Sequence, residues 1–357
     1  MGPNATVIEA ADRFAERSHT GHVRKGTDRP YVEHPREVAR LLAEAGAGDD
    51  VVAAGLLHDT VEDTAVTIAE LREAFGPRVA SLVAAVSEDK SRSWEERKRH
   101  TVTKLASASE DVLLLTAADK LANAGAIGAD GDDVWERFNR PFPLQRRYYR
   151  AATRALERRA NGGPLAVLVT ALRATVDEAF PPPPPLQLDR LLDRVHADAT
   201  GAFSPIHGEE HWLCVAATGL ELLETEPLAD PLLVFCFGLL HDTMRLNDGR
   251  DPDHGRRAAS LALELHDDGL LPLDPFQLAE LEDALARHAD GERSELPTTG
   301  VCWDADRLHL PRVGTTPRRE LLSTPIADLR GAVRRAAELR TTRLHWPALY
   351  AATADAA

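Results

Sequence analysis

The sequence predicts an all-α protein made of two tandem helical domains. Three observations predict it: apolar residues recur at helical spacing along most of the chain, strand-like alternation is nearly absent, and an unbroken run, Pro181 to Pro185, divides the 357 residues near their middle. A proline run forms neither helix nor central strand, so it is expected as a stiff extended linker. The expected boundaries are 1–180 for the first domain, 181–185 for the linker and 186–357 for the second domain.

The elements follow in order. Val7, Ala11, Phe14 and Ala15 form one apolar stripe over residues 6–18. Segments 36–45, 50–60, 67–75 and 77–86 carry the same period, with Gly46 and Gly76 as stops. After the linker, 186–197, 209–224, 230–242, 254–266 and 275–289 continue it.

Composition narrows the function classes. With 43% hydrophobic residues the chain has enough apolar material for full cores, and a net charge of −15 disfavours a general grip on nucleic acid polymers. No run of about 18 apolar residues predicts a membrane span. Glu9, Asp12 and Arg13 interrupt any secretory apolar stretch. Cys214, Cys236 and Cys302 are widely separated and predict reduced core thiols in a cytoplasmic protein. The chain has 37 Arg but five Lys: Lys25, Lys90, Lys98, Lys104 and Lys120. In such an Arg-biased chain, surviving lysines mark places where a compact point charge serves better than a planar fork.

The halves echo each other. His34-x-x-x-Val38 matches His211-x-x-x-Val215, Leu56-Leu-His-Asp-Thr60 matches Leu239-Leu-His-Asp-Thr243, and Ala118-Asp-Lys-Leu121 matches Ala305-Asp-Arg-Leu308. The separations are 24 and 61 residues in the first half, and 30 and 65 in the second. Each half is therefore expected to build a metal site from the same three points: His34, His58-Asp59 and Asp119, then His211, His241-Asp242 and Asp306.

The residue types suit that chemistry. Aspartate is rarely buried unless it is paired or bound to metal. If the helix continues past His58, then His58 lies near Glu62 and Asp59 near Asp63, one turn on. A mixed histidine and carboxylate set suits Mn²⁺, Fe²⁺ or Zn²⁺, and such an ion acidifies water and draws charge from a phosphoryl oxygen. Glu62 or Asp63 is the candidate to orient that water or move its proton. His254 and His288 extend the second set to six residues, enough for two ions. His207 lies one turn from His211 and is an alternative or supporting residue, with Asp248 and Asp304 as further candidates; His266, His309 and His345 fit no pattern and are expected at the surface.

These residues resemble a family. His34, His58-Asp59 and Asp119 are arranged as in the HD-domain metal-dependent phosphohydrolases. From about residue 5 to 158 the chain is more specifically similar to small alarmone hydrolases of the RelA/SpoT type. The likeness is carried by Arg24-Lys-Gly, Pro30-Tyr-Val-Glu-His-Pro35, Leu56 to Thr64, Glu88-Asp-Lys90, Glu96-Arg-Lys-Arg99 and Ala118 to Asn123. The resemblance implies hydrolysis of (p)ppGpp-type nucleotides at the 3′-pyrophosphate with Mn²⁺ or another divalent transition metal. It implies His34, His58, Asp59 and Asp119 as ligands and Glu62 and Asp63 at the water. Arg24, Lys25, Lys90, Asn123 and Tyr148 would contact the nucleotide or its phosphates.

The chain also departs from the family. Ala124-Gly125 follows Asn123 where the family carries a hydrophobic-Arg pair, which loosens the substrate assignment. No synthetase module is expected, because a second helical unit takes up the following residues. That half resembles HD phosphohydrolases more broadly, through His241-Asp242, His254, His288 and Asp304 to Leu308, with Cys214 where an Arg is common. Competing readings are a different nucleotide, such as NADPH losing its 2′-phosphate, and a second domain that binds a nucleotide and regulates the first.

Overall fold

The computed structural model describes residues 6–25, 27–130, 140–181 and 183–356. Among them the regular structure is helical, apart from one antiparallel bridge between Val23 and Pro30. The protein is all-α. It divides into two units, Met1–Pro182 and Pro183–Ala357. Pro182, inside the expected linker, lies outside the described residues. No helix among the described residues is long and apolar enough to cross a membrane.

The first unit contains α1 (Val7–Ser18), α2 (Glu33–Glu44), α3 (Asp49–Leu57), α4 (Thr60–Asp63), α5 (Ile68–Val86), α6 (Trp94–Lys104), α7 (Glu110–Asp130), α8 (Phe142–Glu157) and α9 (Gly163–Ala179). The starts are set locally. Thr6 with Glu9, Thr67 with Glu70 and Ser93 with Glu96 form reciprocal capping boxes that satisfy otherwise orphaned N–H groups. Helix α3 is the hub, with Val51 through Leu57 all buried and packed by α1, α2, α5 and α7. Gly76, at φ +85, breaks α5 into the two segments expected on either side of it.

The second unit contains α10 (Leu188–Asp198), α11 (Glu209–Leu222), α12 (Pro231–Leu240), α13 (His254–Asp267), α14 (Pro275–Arg287), α15 (Pro297–Leu308), α16 (Leu329–Leu339) and α17 (Trp346–Ala356). Its hub is α12, apolar nearly all round and packed by α11, α14, α15 and α17. Cys214, Cys236 and Cys302 are buried.

One expectation needs correction. The expected helix over 50–60 stops at Leu57, so it does not carry His58 and Asp59 onward in one continuous turn. The cause is local competition for carbonyls: Thr60 Oγ1 donates to Leu57 O at 2.7 Å, and the His58 ring takes Gly55 O at 2.9 Å. The second unit repeats the device after α12, with Thr243 on Leu240 O at 2.7 Å and His241 on Gly238 O at 3.1 Å.

Candidate functional site

In the first unit α2 supplies His34, the α3–α4 break supplies His58 and Asp59, and α7 supplies Asp119. Nε2 of His34 lies 3.3 Å from Asp119 Oδ1 and 3.6 Å from Asp59 Oδ2. Nε2 of His58 lies 3.1 Å from Asp59 Oδ1 and 3.6 Å from Asp119 Oδ1. A carbonyl only accepts, so the contact with Gly55 O places a proton on His58 Nδ1 and turns the Nε2 lone pair toward the carboxylates. Among the described residues that Nε2 has no hydrogen-bond partner. Nitrogen and oxygen acceptors aimed at one point need a cation; His34, His58 and Asp119 converge, Asp59 stands beside both histidines, and such a set fits a divalent transition metal.

Charge shapes the cluster. Burial works to raise the Asp59 carboxyl, but His58 and His34 outweigh it and hold the pKa below the ordinary range. Asp119 is likewise held low against burial, by Lys120 and the two histidines. Glu62 behaves differently: burial lifts its pKa, and its carboxylate accepts the Glu88 N–H at 2.8 Å. Asp63 accepts from the Lys90 ammonium at 2.6 Å. Tyr31 places its hydroxyl 2.7 Å from both Asp59 and Asp63, linking a candidate ligand to a candidate proton carrier.

A cavity of about 260 Å³ opens on the cluster and is lined by five cations: Arg24, Arg97, Lys98, Lys104 and Lys120. Glu88 organises two of them, at 2.9 Å from both Arg97 and Lys98. Arg24 reaches Asn123 at 3.1 Å, and Asn123 donates to Asp119 at 2.6 Å. Tyr148 is buried beneath the Lys98 and Lys120 ammoniums, 4.9 and 5.5 Å from its ring centre, and does not line the cavity. Lys25 is exposed and outside the lining.

The second unit repeats the first arrangement and adds to it. Nε2 of His211 lies 3.2 Å from Asp306 Oδ1 and 3.7 Å from Asp242 Oδ2, with His241 Nε2 3.7 Å from the same Asp242 oxygen. On the other side of Asp242, Oδ1 lies 3.3 Å from His254 Nε2 and 3.8 Å from His288 Nε2. His254 and His288 each turn Nδ1 to a backbone carbonyl, of Asp251 and Leu285, while their Nε2 atoms stand 2.9 Å apart. Two lone pairs at that distance repel unless a proton or a metal cation lies between them. Five of the six expected residues converge in two groups that share Asp242, one oxygen on each side, and Asp306 joins through its 3.2 Å contact with His211.

Other expectations change. His309 is not at the surface: it is buried, bonded to Thr218 at 2.8 Å, and its ring packs 5.7 Å from His211. It follows α15 directly, whose buried end carries it inward. His266 is half-buried on Leu271 O, whereas His345 is exposed. Asp304 faces away from the cluster and binds the backbone N–H groups of Ser323 and Thr324. Asp248 binds Ser204 in a loop. His207 does join the site, 2.8 Å from Asp242 Oδ2. Sequence reasoning missed the Tyr31 hydroxyl and the roles of Arg97, Lys98, Lys104, Arg245 and Arg312. The scarcity of lysine was the available signal for two of them.

The first unit's sequence has known counterparts. The HD-domain family pattern matches residues 11–139. Human guanosine-3′,5′-bis(diphosphate) 3′-pyrophosphohydrolase MESH1 is 47% identical over 139 residues, covering 38% of this chain and 77% of that protein. The Aquifex aeolicus guanosine-3′,5′-bis(diphosphate) 3′-pyrophosphohydrolase is 38% identical over 127 residues, 35% of this chain and 18% of that one. Among solved structures, Listeria monocytogenes lmo0812 is 39% identical over 41% of this chain and 98% of its own, with a TM-score of 0.39. Through its first unit the chain belongs to the HD-domain family, as a metal-dependent phosphohydrolase.

Proposed function

We propose that the first unit hydrolyses (p)ppGpp-type nucleotides at the 3′-pyrophosphate, with Mn²⁺ or a similar divalent ion held by His34, His58, Asp59 and Asp119. The carrying observation is that His34, His58 and Asp119 converge, with Asp59 within 3.1–3.6 Å of the two histidines, and open on a cavity lined by five cations. A divalent ion there would acidify water and withdraw charge from a phosphoryl oxygen. Arg24, Lys98 and Lys120 hold the phosphates, and Asn123 fixes Arg24 against Asp119. Glu62 and Asp63 orient the attacking water and take its proton. The water oxygen bonds to phosphorus, the bond to ribose O3′ breaks, O3′ gains a proton and pyrophosphate leaves. The likeness to MESH1 supports this substrate.

The test is pyrophosphate release from ppGpp by the purified chain with Mn²⁺. The expected outcome is turnover that falls by at least about a thousandfold in Asp59→Ala, which loses both a ligand and its charge. Intact ppGpp, or equal activity in the variant, refutes the reading. Release of orthophosphate alone points to another nucleotide, consistent with Ala124-Gly125 after Asn123.

For the second unit we propose a divergent HD-type domain whose residues would hold two ions, His211, His241, Asp242 and Asp306 on one side and Asp242, His254 and His288 on the other. The mirrored distances and the shared carboxylate support it. They favour a hydrolytic over a purely regulatory role, since a binding module has no need of six convergent ligands.

A further inference from the structure

Two arginines in the second unit lie against its candidate ligands and have no counterpart in the repeat. Arg245 follows the His241-Asp242 break. Its side chain is 10% exposed, and Nη2 donates to Gly249 O at 2.9 Å. This leaves Nη1 facing His254 Nε2 at 3.2 Å and Asp242 Oδ1 at 3.4 Å. Arg312 follows α15, and its side chain is 7% exposed. Its Nε donates to Ile206 O at 3.2 Å, and Nη2 lies 3.2 Å from His207 Nδ1. Its Nη1 is buried, without a hydrogen bond among the described residues, 3.6 Å from Asp306 Oδ1.

A buried guanidinium is costly unless paired. Among the described residues, the carboxylates these two face inside the centre are Asp242 and Asp306, the residues expected to bind cations. Once two divalent ions occupy those carboxylates, both guanidiniums face positive charge. Two carboxylates then stand against two divalent ions and two arginines, a buried surplus of positive charge that an anion relieves. Each arginine is anchored by a backbone carbonyl and turns its Nη1 inward onto a centre carboxylate, so that an ion drawing off that carboxylate would release the Nη1 donors toward phosphate oxygens.

We propose that Arg245 and Arg312 form a phosphate clamp, and that the second unit takes a compact ester carrying a single phosphate. This rests on the two-ion reading of the same site. The cavity limits the rest of the ligand: at about 320 Å³ it is walled in part by Ala289, Leu310, Val313 and Pro317. Of its other two arginines, Arg307 is committed to the carbonyls of Leu321 and Glu292, and Arg318 lies at the exposed rim. The five-cation cavity of the first unit suits a nucleotide with several phosphates, whereas two inward arginines and apolar walls suit one phosphate on a small uncharged group.

The test titrates inorganic phosphate calorimetrically into the metal-loaded full chain carrying Lys98→Gln and Lys120→Gln, which weaken the first cavity. Metal content is measured in parallel. Arg245→Gln and Arg312→Gln are each expected to weaken phosphate binding by about tenfold or more with metal content unchanged, because each removes a charge-assisted donor pair. Arg312→Lys, which keeps the charge but loses the fork, is expected to fall between and guards against a folding defect. Unchanged affinity in both glutamine variants, or phosphate binding no tighter than acetate, overturns the clamp. Absence of metal from the second unit would instead overturn the two-ion reading, and the ratio between parent and arginine variants would still decide the clamp.

Discussion

Tyr31 carries one hydroxyl proton but stands 2.7 Å from two carboxylates. It donates to one and holds the other in line, so it couples the position of Asp59 to that of Asp63. Tyr31→Phe leaves the ring packed against His19 and removes that link. The expected result is a kcat lowered by about 10- to 100-fold with KM little changed, as for partners that orient metal ligands. A change confined to KM would show instead that the hydroxyl contacts substrate. The scarcity of lysine pointed to this site for a physical reason, although the roles of Lys98 and Lys104 were not legible. Four of the five are at this site: Lys98, Lys104 and Lys120 line the cavity, and Lys90 holds Asp63. His309 was misread because a lone histidine has no periodicity to reveal its burial. Burial pushes its pKa down to about 4. The unfolded chain takes up this proton below about 6.5 and the folded chain refuses it, so stability falls as pH drops from about 6.5 to about 4, by about 1.4 kcal/mol per unit. In His309→Gln the urea midpoint should vary less between pH 7 and pH 5 than in the parent.

At the scale of helices, glycine sets how closely the ligand-bearing pairs approach. A Cβ on Gly238 would meet the backbone and Cβ of Ala216 at 2.5–2.7 Å, and one on Gly55 would meet Leu42 Cδ1 at 2.7 Å. Both glycines lie three residues before a site histidine and offer it their carbonyl. Gly238→Ala should destabilise the second unit by at least about 1–3 kcal/mol, since backbone cannot yield as a side-chain tip can. Gly125→Ala, on the exposed face of α7 with nothing within 4 Å, should stabilise by about 0.5–1 kcal/mol. Urea unfolding of both variants measures the contrast. Segments with a clear apolar stripe, such as α1 and α11, were legible in the sequence. The break after Leu57 was not, because side-chain hydrogen bonds from His58 and Thr60 decide it rather than hydrophobic spacing. Helix α6 was also missed, being mostly polar and held by Ser93, Glu96 and the Glu88 ion pairs.

At the scale of the whole chain, the sequence echo located the residues that converge in each unit, because the motifs keep order and near-equal spacing. It could not reveal Arg245 and Arg312, which fall outside the repeated motifs and reach the centre only through the fold. The proposed centres predict three divalent ions per chain: one in the first unit and two in the second. Elemental analysis should find one ion lost in His58→Ala and two in Asp242→Ala. Loss of a single ion in Asp242→Ala would show that its oxygens do not serve both sides. The shared carboxylate has a further consequence. Two cations held on one aspartate repel, so in a bare centre the second should enter less tightly than the first. An anion seated between them relieves that repulsion, and binding linkage is reciprocal. By whatever factor the anion tightens the second cation, the second cation must tighten the anion. Metal supply and ligand supply would then act on this unit as one variable, with Asp242 as the point where they meet.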